Sequence, residues 1–172
     1  MVTIKLPYTS DQDCQDFLLK LRKQQSVCIR SAYNRFKEGA SKKEAESHIK
    51  QLNGVNDLDS WLIRSAMEMG SQKFNTSPNG IIFGGKKNWI DYNKGKITKD
   101  EFKKKKLSNL YSVGEANALG NRKCRIKLSK NKNEIIFQPD RYNRFTLTLP
   151  NKLTKTYKDQ LLYLQEKQNN RN

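Results

Sequence analysis

The hydrophobic and polar positions first alternate and then change to a helical period. Val-Thr-Ile-Lys-Leu at 2–6 is a β-prone alternation that Pro7 ends, which predicts a short strand. Between Phe17 and Phe36 apolar residues recur at roughly helical spacing, and Gly39 stops the pattern. The pattern predicts one long helix of about 25 residues.

Two further helices are predicted before residue 80. Ser41 and Glu44 have the spacing of a capping box, in which the serine accepts from a free backbone N–H and the glutamate reaches back. This helix is expected to end near Leu52, and Asn56 or Asp57 is expected to cap the next one. The apolar face of that third helix predicts core packing for Leu58, Trp61, Leu62, Ser65, Ala66 and Met69.

After residue 80 the sequence predicts a short basic helix, a loop and then a β-meander. Ile81 to Phe83 is a short β-prone run, and a second capping box at Thr98 and Glu101 opens a short basic helix. Residues 114–121 contain two glycines and two asparagines, which is typical of an ordered loop. Strands are predicted at 122–128, 134–137 and 143–149, and a short amphipathic helix or extended tail at 154–167.

This order of elements predicts an α+β fold. We expect a small antiparallel β-barrel, interrupted after its first strand by a helical bundle. The predicted domains are a discontinuous barrel at 1–8 plus 120–172, a helical insertion at 9–80 and a basic connecting segment at 81–119. Because five residues make no stable isolated strand, Val2, Ile4 and Leu6 are expected to pack on an inner face formed by Ile126, Ile136 and Phe145.

The charge of the chain points to a polyanionic partner. The 172 residues hold 34 Lys plus Arg against 17 Asp plus Glu, a net charge of +17. Residues 84–132 alone hold 15 basic and four acidic residues, a difference of +11. Such an excess weakens a compact state by self-repulsion, so a nucleic acid is favoured as partner over an anionic membrane surface. No apolar run is long enough to span a bilayer.

The residues expected to bind nucleic acid share three properties. Basic side chains can neutralise phosphates, glycines let backbone N–H groups approach an anion, and aromatic rings can stack on unpaired bases. The candidates are Gly84, Gly85, Lys86, Lys87, Trp89, Lys103, Lys104, Lys105, Lys106, Tyr111, Asn121, Arg122, Lys123, Arg125 and Lys127.

The sequence offers little for catalysis or metal binding. Its three cysteines form no CxxC pair, and this sparse, odd count favours a reducing cytosol over a disulfide scaffold. A zinc site built from Cys14, Cys28 or Cys124 with His48 lacks any ligand spacing. The acids are scattered, and one histidine serves no convincing catalytic triad. We therefore expect no catalytic residues, no metal, no cofactor and no enzymatic activity of the chain alone.

Several motifs resemble a known family. These are FGGKKNW at 83–89, KITKDEFKKKKLSNLYSVGEAN at 96–117, GNRK at 120–123 and SAYNRF at 31–36. They are similar to the N-terminal region of the TnpB family of transposon-encoded RNA-guided nucleases and of the related type V CRISPR effectors. The resemblance covers nearly all of the chain and is most specific in its middle third.

The resemblance implies both an architecture and a function. It implies an OB-like wedge barrel interrupted by a recognition domain, which together hold guide RNA and the guide–target hybrid. The catalytic carboxylates of the family belong to a RuvC-like domain that is expected to begin where this chain stops, at Asn172. The expected partners are guide-type RNA and target DNA, and a second chain with that nuclease domain is a further candidate. The protein is expected to be cytoplasmic and of prokaryotic, phage or mobile-element type. The alternative is an interaction protein that regulates or inhibits such a nuclease.

Overall fold

The structure, a computed structural model, describes residues 8–55, 57–114, 121–129, 132–150 and 155–169. Over these residues the fold is α+β, with six helices and one three-stranded antiparallel sheet. The chain forms two compact units: unit 1 is Met1–Asp16 with Ser112–Asn172, and unit 2 is Phe17–Tyr111. The domain boundaries inferred from the sequence stay a prediction. The elements are α1 Gln12–Lys37, α2 Lys42–Lys50, α3 Ser60–Thr76, α4 Lys86–Asn93, α5 Lys99–Lys105, β1 Cys124–Leu128, β2 Asn133–Phe137, β3 Phe145–Leu149 and α6 Lys155–Asn169.

The long first helix and both capping boxes are confirmed. Helix α1 has 26 residues and ends before Gly39, whose φ of +86° suits a residue without a side chain. Gly70 of α3 lies against α1, and a Cβ on it would come within 2.5 Å of the Ala32 Cβ. This close approach lets Leu21, Ile29 and Leu62 bury their side chains in one core.

The predicted cap of α3 is wrong by two residues or more. Asp59, rather than Asn56 or Asp57, caps the helix, and its Oδ1 accepts from the Leu62 backbone N–H at 3.0 Å. Asp57 instead pairs with Lys20, with Nζ to Oδ1 at 2.9 Å. Leu58, just before the cap, is already buried. Asn56 lies outside the described residues.

The β-prone run at 81–83 forms no strand. Ile82 is exposed in a turn, where its carbonyl accepts from the Gly85 N–H at 2.9 Å. The Phe83 ring packs edge-on against Tyr33 with 5.5 Å between centroids. Helical packing therefore overrides the local β-propensity, since the described part of unit 2 contains no strand for this run to pair with. Helix α4, which follows, was not predicted.

In unit 1 the sheet order is β1-β2-β3. The register pairs Ile126 with Ile135 and Ile135 with Leu147, so these side chains and Phe145 share one face. Ile136 pairs with Arg125 and with Thr146, which places it on the opposite face. The expected common inner face of Ile126, Ile136 and Phe145 is therefore wrong, because successive strand residues alternate.

The described sheet is open and three-stranded, whereas a closed barrel was expected. The strand predicted at 2–6 lies outside the described residues. Just after it, Thr9 forms an antiparallel bridge with Thr148: the Thr9 N–H donates at 2.9 Å and the Thr148 N–H donates back at 3.0 Å. The chain leading into α1 thus lies beside β3.

The C-terminal segment is a helix rather than an extended tail. Helix α6 packs on β1 with Leu161 buried. The Gln165 side chain accepts from the Leu128 N–H at 3.0 Å, which satisfies a donor on the outer edge of β1. Among the described helices, none is both long and apolar enough to cross a membrane.

Candidate nucleic-acid interface

Helices α4 and α5 present a dense set of lysines in unit 2. We call this set the α4–α5 basic surface. Lys106 is half-buried and the other members are exposed. The set consists of Lys86, Lys87, Lys94, Lys96, Lys99, Lys103, Lys104, Lys105 and Lys106.

Three aromatic rings hold α4 and α5 together. Tyr92 stacks on Phe102 with 5.2 Å between centroids and 8° between ring planes. Trp89 lies 5.6 Å from Phe102 and 6.0 Å from Tyr92. Phe102 is 3% exposed and Trp89 is 40% exposed. The cluster therefore joins the two helices that carry the lysines, and part of Trp89 stays exposed to solvent.

Gly84 and Gly85 shape the turn that enters α4. A Cβ on Gly84 would lie 3.1 Å from Phe102 Cε2 and 3.3 Å from Lys106 Cγ, at a φ of +96°. The Gly85 N–H is already bonded to Ile82. The close approach that Gly84 allows is made by the Phe102 ring of the protein itself. The role of both glycines in binding an anion stays a prediction.

The acids around α5 are engaged in its own structure. Glu101 accepts from the Thr98 backbone and side chain at 2.7 and 2.9 Å, and these bonds lower the pKa of its carboxyl. The hydrogen bond from Lys103, at 3.0 Å, lowers the pKa of Asp100. Lys106 lies over the Phe102 ring, 4.5 Å from its centroid. Lys104 and Lys105 are exposed beside these partnered groups.

A row of polar side chains on α1, missed in the sequence, fixes the chain that follows α5. Gln25 is fully buried; its amide donates to the Leu62 carbonyl at 3.0 Å and the Tyr111 carbonyl at 2.7 Å, and accepts from the Tyr111 N–H at 2.7 Å. Similar bonds to the backbone of residues 106–108 come from its neighbours. We call this set the α1 ladder: Arg22, Gln25, Ser26 and Arg30.

The α1 ladder positions Tyr111, a predicted stacking residue, through its backbone, and the ring itself is half-buried. Burial lowers the pKa of Arg30, whose guanidinium donates to the Lys106 carbonyl at 3.3 Å. The available sequence signal was a pair of polar residues, Gln25 and Ser26, on the otherwise apolar side of a long helix.

The remaining predicted residues lie in unit 1, at and before β1. Arg125 and Lys127 are exposed and alternate with Ile126 along β1, so they lie on one face of the sheet. Glu134 lies opposite Lys127 and pairs with Lys132 at 2.7 Å. Its pKa is lowered by Lys132 first and then by Lys127. This face therefore carries one acid that is already partnered.

Asn121 is occupied by the protein itself. Its Oδ1 accepts from Ser112 Oγ at 2.9 Å, the Lys123 N–H at 2.9 Å and the Cys124 N–H at 3.2 Å. Its Nδ2 donates to the Ser112 carbonyl at 2.6 Å. The amide braces the entry to β1, beside Arg122 and Lys123.

Within the described residues, no three His, Cys, Asp or Glu side chains come together as a metal-ion site. Cys14 belongs to unit 1 and Cys28 to unit 2. Burial raises the pKa of Cys28 to about 11 and that of Cys124 to about 11, so both thiols stay protonated at neutral pH. His48 is half-buried on α2.

Comparisons with known proteins give one result. Neither the curated proteins nor the solved structures that were compared contain a match to this sequence. A family model described as the SSO2105 N-terminal domain matches residues 1–172, and the chain therefore belongs to that family.

Proposed function

We propose that this protein binds nucleic acid through the phosphate backbone, with structured RNA or an RNA–DNA hybrid as its ligand. The observation that carries the proposal is the α4–α5 basic surface, whose exposed lysines lie on two helices joined by an aromatic cluster. Because the aromatic cluster already joins α4 and α5, little backbone has to be ordered when their lysines meet a phosphate backbone.

The charge balance of this surface supports the proposal. Residues 86–106 hold nine lysines against Asp91, Asp100 and Glu101, a difference of +6. Asp100 already pairs with a lysine and Glu101 with its own helix cap. In unit 1, Arg125 and Lys127 extend the same chemistry onto a strand. Contacts of this kind to the nucleic-acid backbone recognise its shape and charge, while base pairing between strands supplies the sequence specificity.

The resemblance of the sequence motifs to the TnpB family extends the proposal to an RNA-guided nuclease system. In this proposal the sheet of unit 1 is completed by residues 2–6 into a wedge-type barrel, and the bound RNA is a guide that pairs with target DNA. The chain has no catalysis of its own, and a RuvC-like nuclease domain in another part of the protein or in a second chain cuts the target. The description of the family, an N-terminal domain, suits a module of this kind.

The test is the salt dependence of binding to a fluorescently labelled structured RNA. Each phosphate contact releases counterions, so the logarithm of the affinity should fall steeply with the logarithm of the salt concentration. Replacing Lys104 and Lys105 with alanine should weaken binding and reduce the slope by about 1 to 2. The probe should stay intact in magnesium.

The matched control is the double substitution Lys42→Ala and Lys43→Ala. These are also consecutive exposed lysines on a short helix with a capping box, but outside the α4–α5 basic surface. Both variants should melt close to the parent protein. A flat salt slope for the parent, or equal losses from both lysine pairs, contradicts the proposed interface.

A further inference from the structure

One end of the unit 1 sheet gathers positive charge. Cys124 pairs with Phe137 and Phe137 with Phe145, so β1 begins, β2 ends and β3 begins at this end. We call residues 121–123 and 138–144 the sheet tip. Its described residues include a single acid, Asp140, and four cations: Arg122, Lys123, Arg141 and Arg144.

The loop of the sheet tip is braced from within. Asp140 Oδ1 accepts from the backbone N–H groups of Tyr142 and Asn143 at 2.7 and 2.8 Å, and its Oδ2 accepts from the Asn143 side chain at 2.8 Å. Pro139 is fully buried below it. The Gln138 N–H donates to the Lys123 carbonyl at 2.8 Å, which ties the loop to the start of β1. The loop therefore has a defined conformation.

This braced loop holds a large aromatic ring in solvent. Tyr142 is 77% exposed, more than any other large hydrophobic side chain among the described residues. The guanidinium of Arg141 lies over the ring, 4.5 Å from its centroid. One face of the ring is thus covered by a cation and the other face is open. An exposed aromatic face of this kind can stack on a planar nucleobase.

We propose that Tyr142 is a stacking site for an unpaired nucleobase, with the neighbouring arginines on the adjoining phosphates. The inference rests on the proposed function and adds a second site in unit 1, which recognises single-stranded nucleotides. The base stacks on the open face of the ring, giving a base–tyrosine–guanidinium stack. A paired base in a duplex interior has no free face for this contact, so the site discriminates between strands and duplex.

The test measures binding of a short single-stranded RNA that carries one fluorescent adenine analogue, whose emission falls when it stacks. Tyr142→Ala should weaken binding of this strand about tenfold and remove the quenching at saturating protein. Tyr142→Phe should keep both. Binding of a blunt RNA duplex should change little, and a single-stranded DNA probe shows whether the sugar matters.

Tyr8→Ala is the control, because Tyr8 is also an exposed tyrosine in unit 1 and should give parental binding. If Tyr142→Ala binds and quenches like the parent while the salt slope remains steep, this inference fails and the proposed function stands. Equal losses on strand and duplex overturn it as well. A flat salt slope in the parent removes both proposals together.

Discussion

Gly84 lies against the ring of Phe102, so a single added carbon tests the packing of the aromatic cluster. Gly84→Ala introduces a Cβ at 3.1 Å from Phe102 Cε2, at a φ of +96° that side chains disfavour. Backbone strain of about 1–2 kcal/mol and local crowding should together lower the free energy of unfolding by about 2–3 kcal/mol. Chemical denaturation measures the change.

Gly54→Ala separates the two contributions. Gly54 also has a positive φ, +79°, but nothing lies within 4 Å of the added Cβ. This variant should therefore lose only the backbone component, about 1–2 kcal/mol. Equal destabilisation at both glycines shows that the Phe102 contact contributes nothing and removes the packing argument.

Two lysines and one asparagine show which properties of a binding residue can be predicted from sequence. Lysines 104 and 105 were identified from their charge and are exposed. Asn121 was selected by its place in a glycine-rich loop, yet four hydrogen bonds occupy its amide. Composition identifies which groups can bind a phosphate. Only the folded structure shows which of those groups the protein already uses. Asn121 is such a group, because its partner Ser112 lies nine positions away in the chain.

At the scale of elements, the α1 ladder connects a helix to a segment without secondary structure. Gln25→Ala removes the amide that bonds both part-buried backbone groups of Tyr111 and also donates to the Leu62 carbonyl of α3. The Tyr111 N–H and carbonyl are the groups that lose their partner. Leaving such groups without partners should cost about 3 kcal/mol in the free energy of unfolding. The substitution should also make the backbone amide hydrogens of residues 106–111 exchange faster with solvent.

Gln15→Ala is the matched control on the same helix. Gln15 is exposed and donates to the Ser10 carbonyl at 3.2 Å. Its removal should change the free energy of unfolding by less than about 0.5 kcal/mol. If Gln25→Ala is as mild as this control, the buried glutamine does not hold the segment that follows α5.

Elements were predictable where their signals are local. Both capping boxes are confirmed, because the serine or threonine and the glutamate meet within one helical turn. The β-prone run at 81–83 forms no strand, because β-propensity reflects how well a side chain fits a sheet and unit 2 offers no described strand to pair with. Helix α4 was missed because glycine at its N-cap provides no side-chain signal.

At the scale of the whole molecule, the start of the chain is expected to stabilise the end. The Thr9–Thr148 bridge places the residues next to the predicted first strand beside β3. Burying Val2, Ile4 and Leu6 against the sheet is worth about 5 kcal/mol before ordering costs. Deleting residues 1–7 should therefore lower the melting temperature of unit 1 and weaken RNA binding.

Lys5→Ala in the full chain is the control, since it removes the only charged side chain in the deleted segment and keeps the strand. It should melt like the parent. If the truncated protein melts at an unchanged temperature and binds RNA as before, the first strand does not belong to the sheet and the helices form a separate N-terminal domain.

The sequence by itself determined the α+β class, the long first helix, both capped helices and the alternation of basic residues along β1. Each of these follows from periods or caps that span a few residues. The tertiary structure decided that Gln25 holds Tyr111, that Ile136 faces away from Ile126, and that Arg122 and Tyr142 share one end of the sheet. Those relations depend on strand register and helix packing, which join residues far apart in the chain and have no local sequence signal.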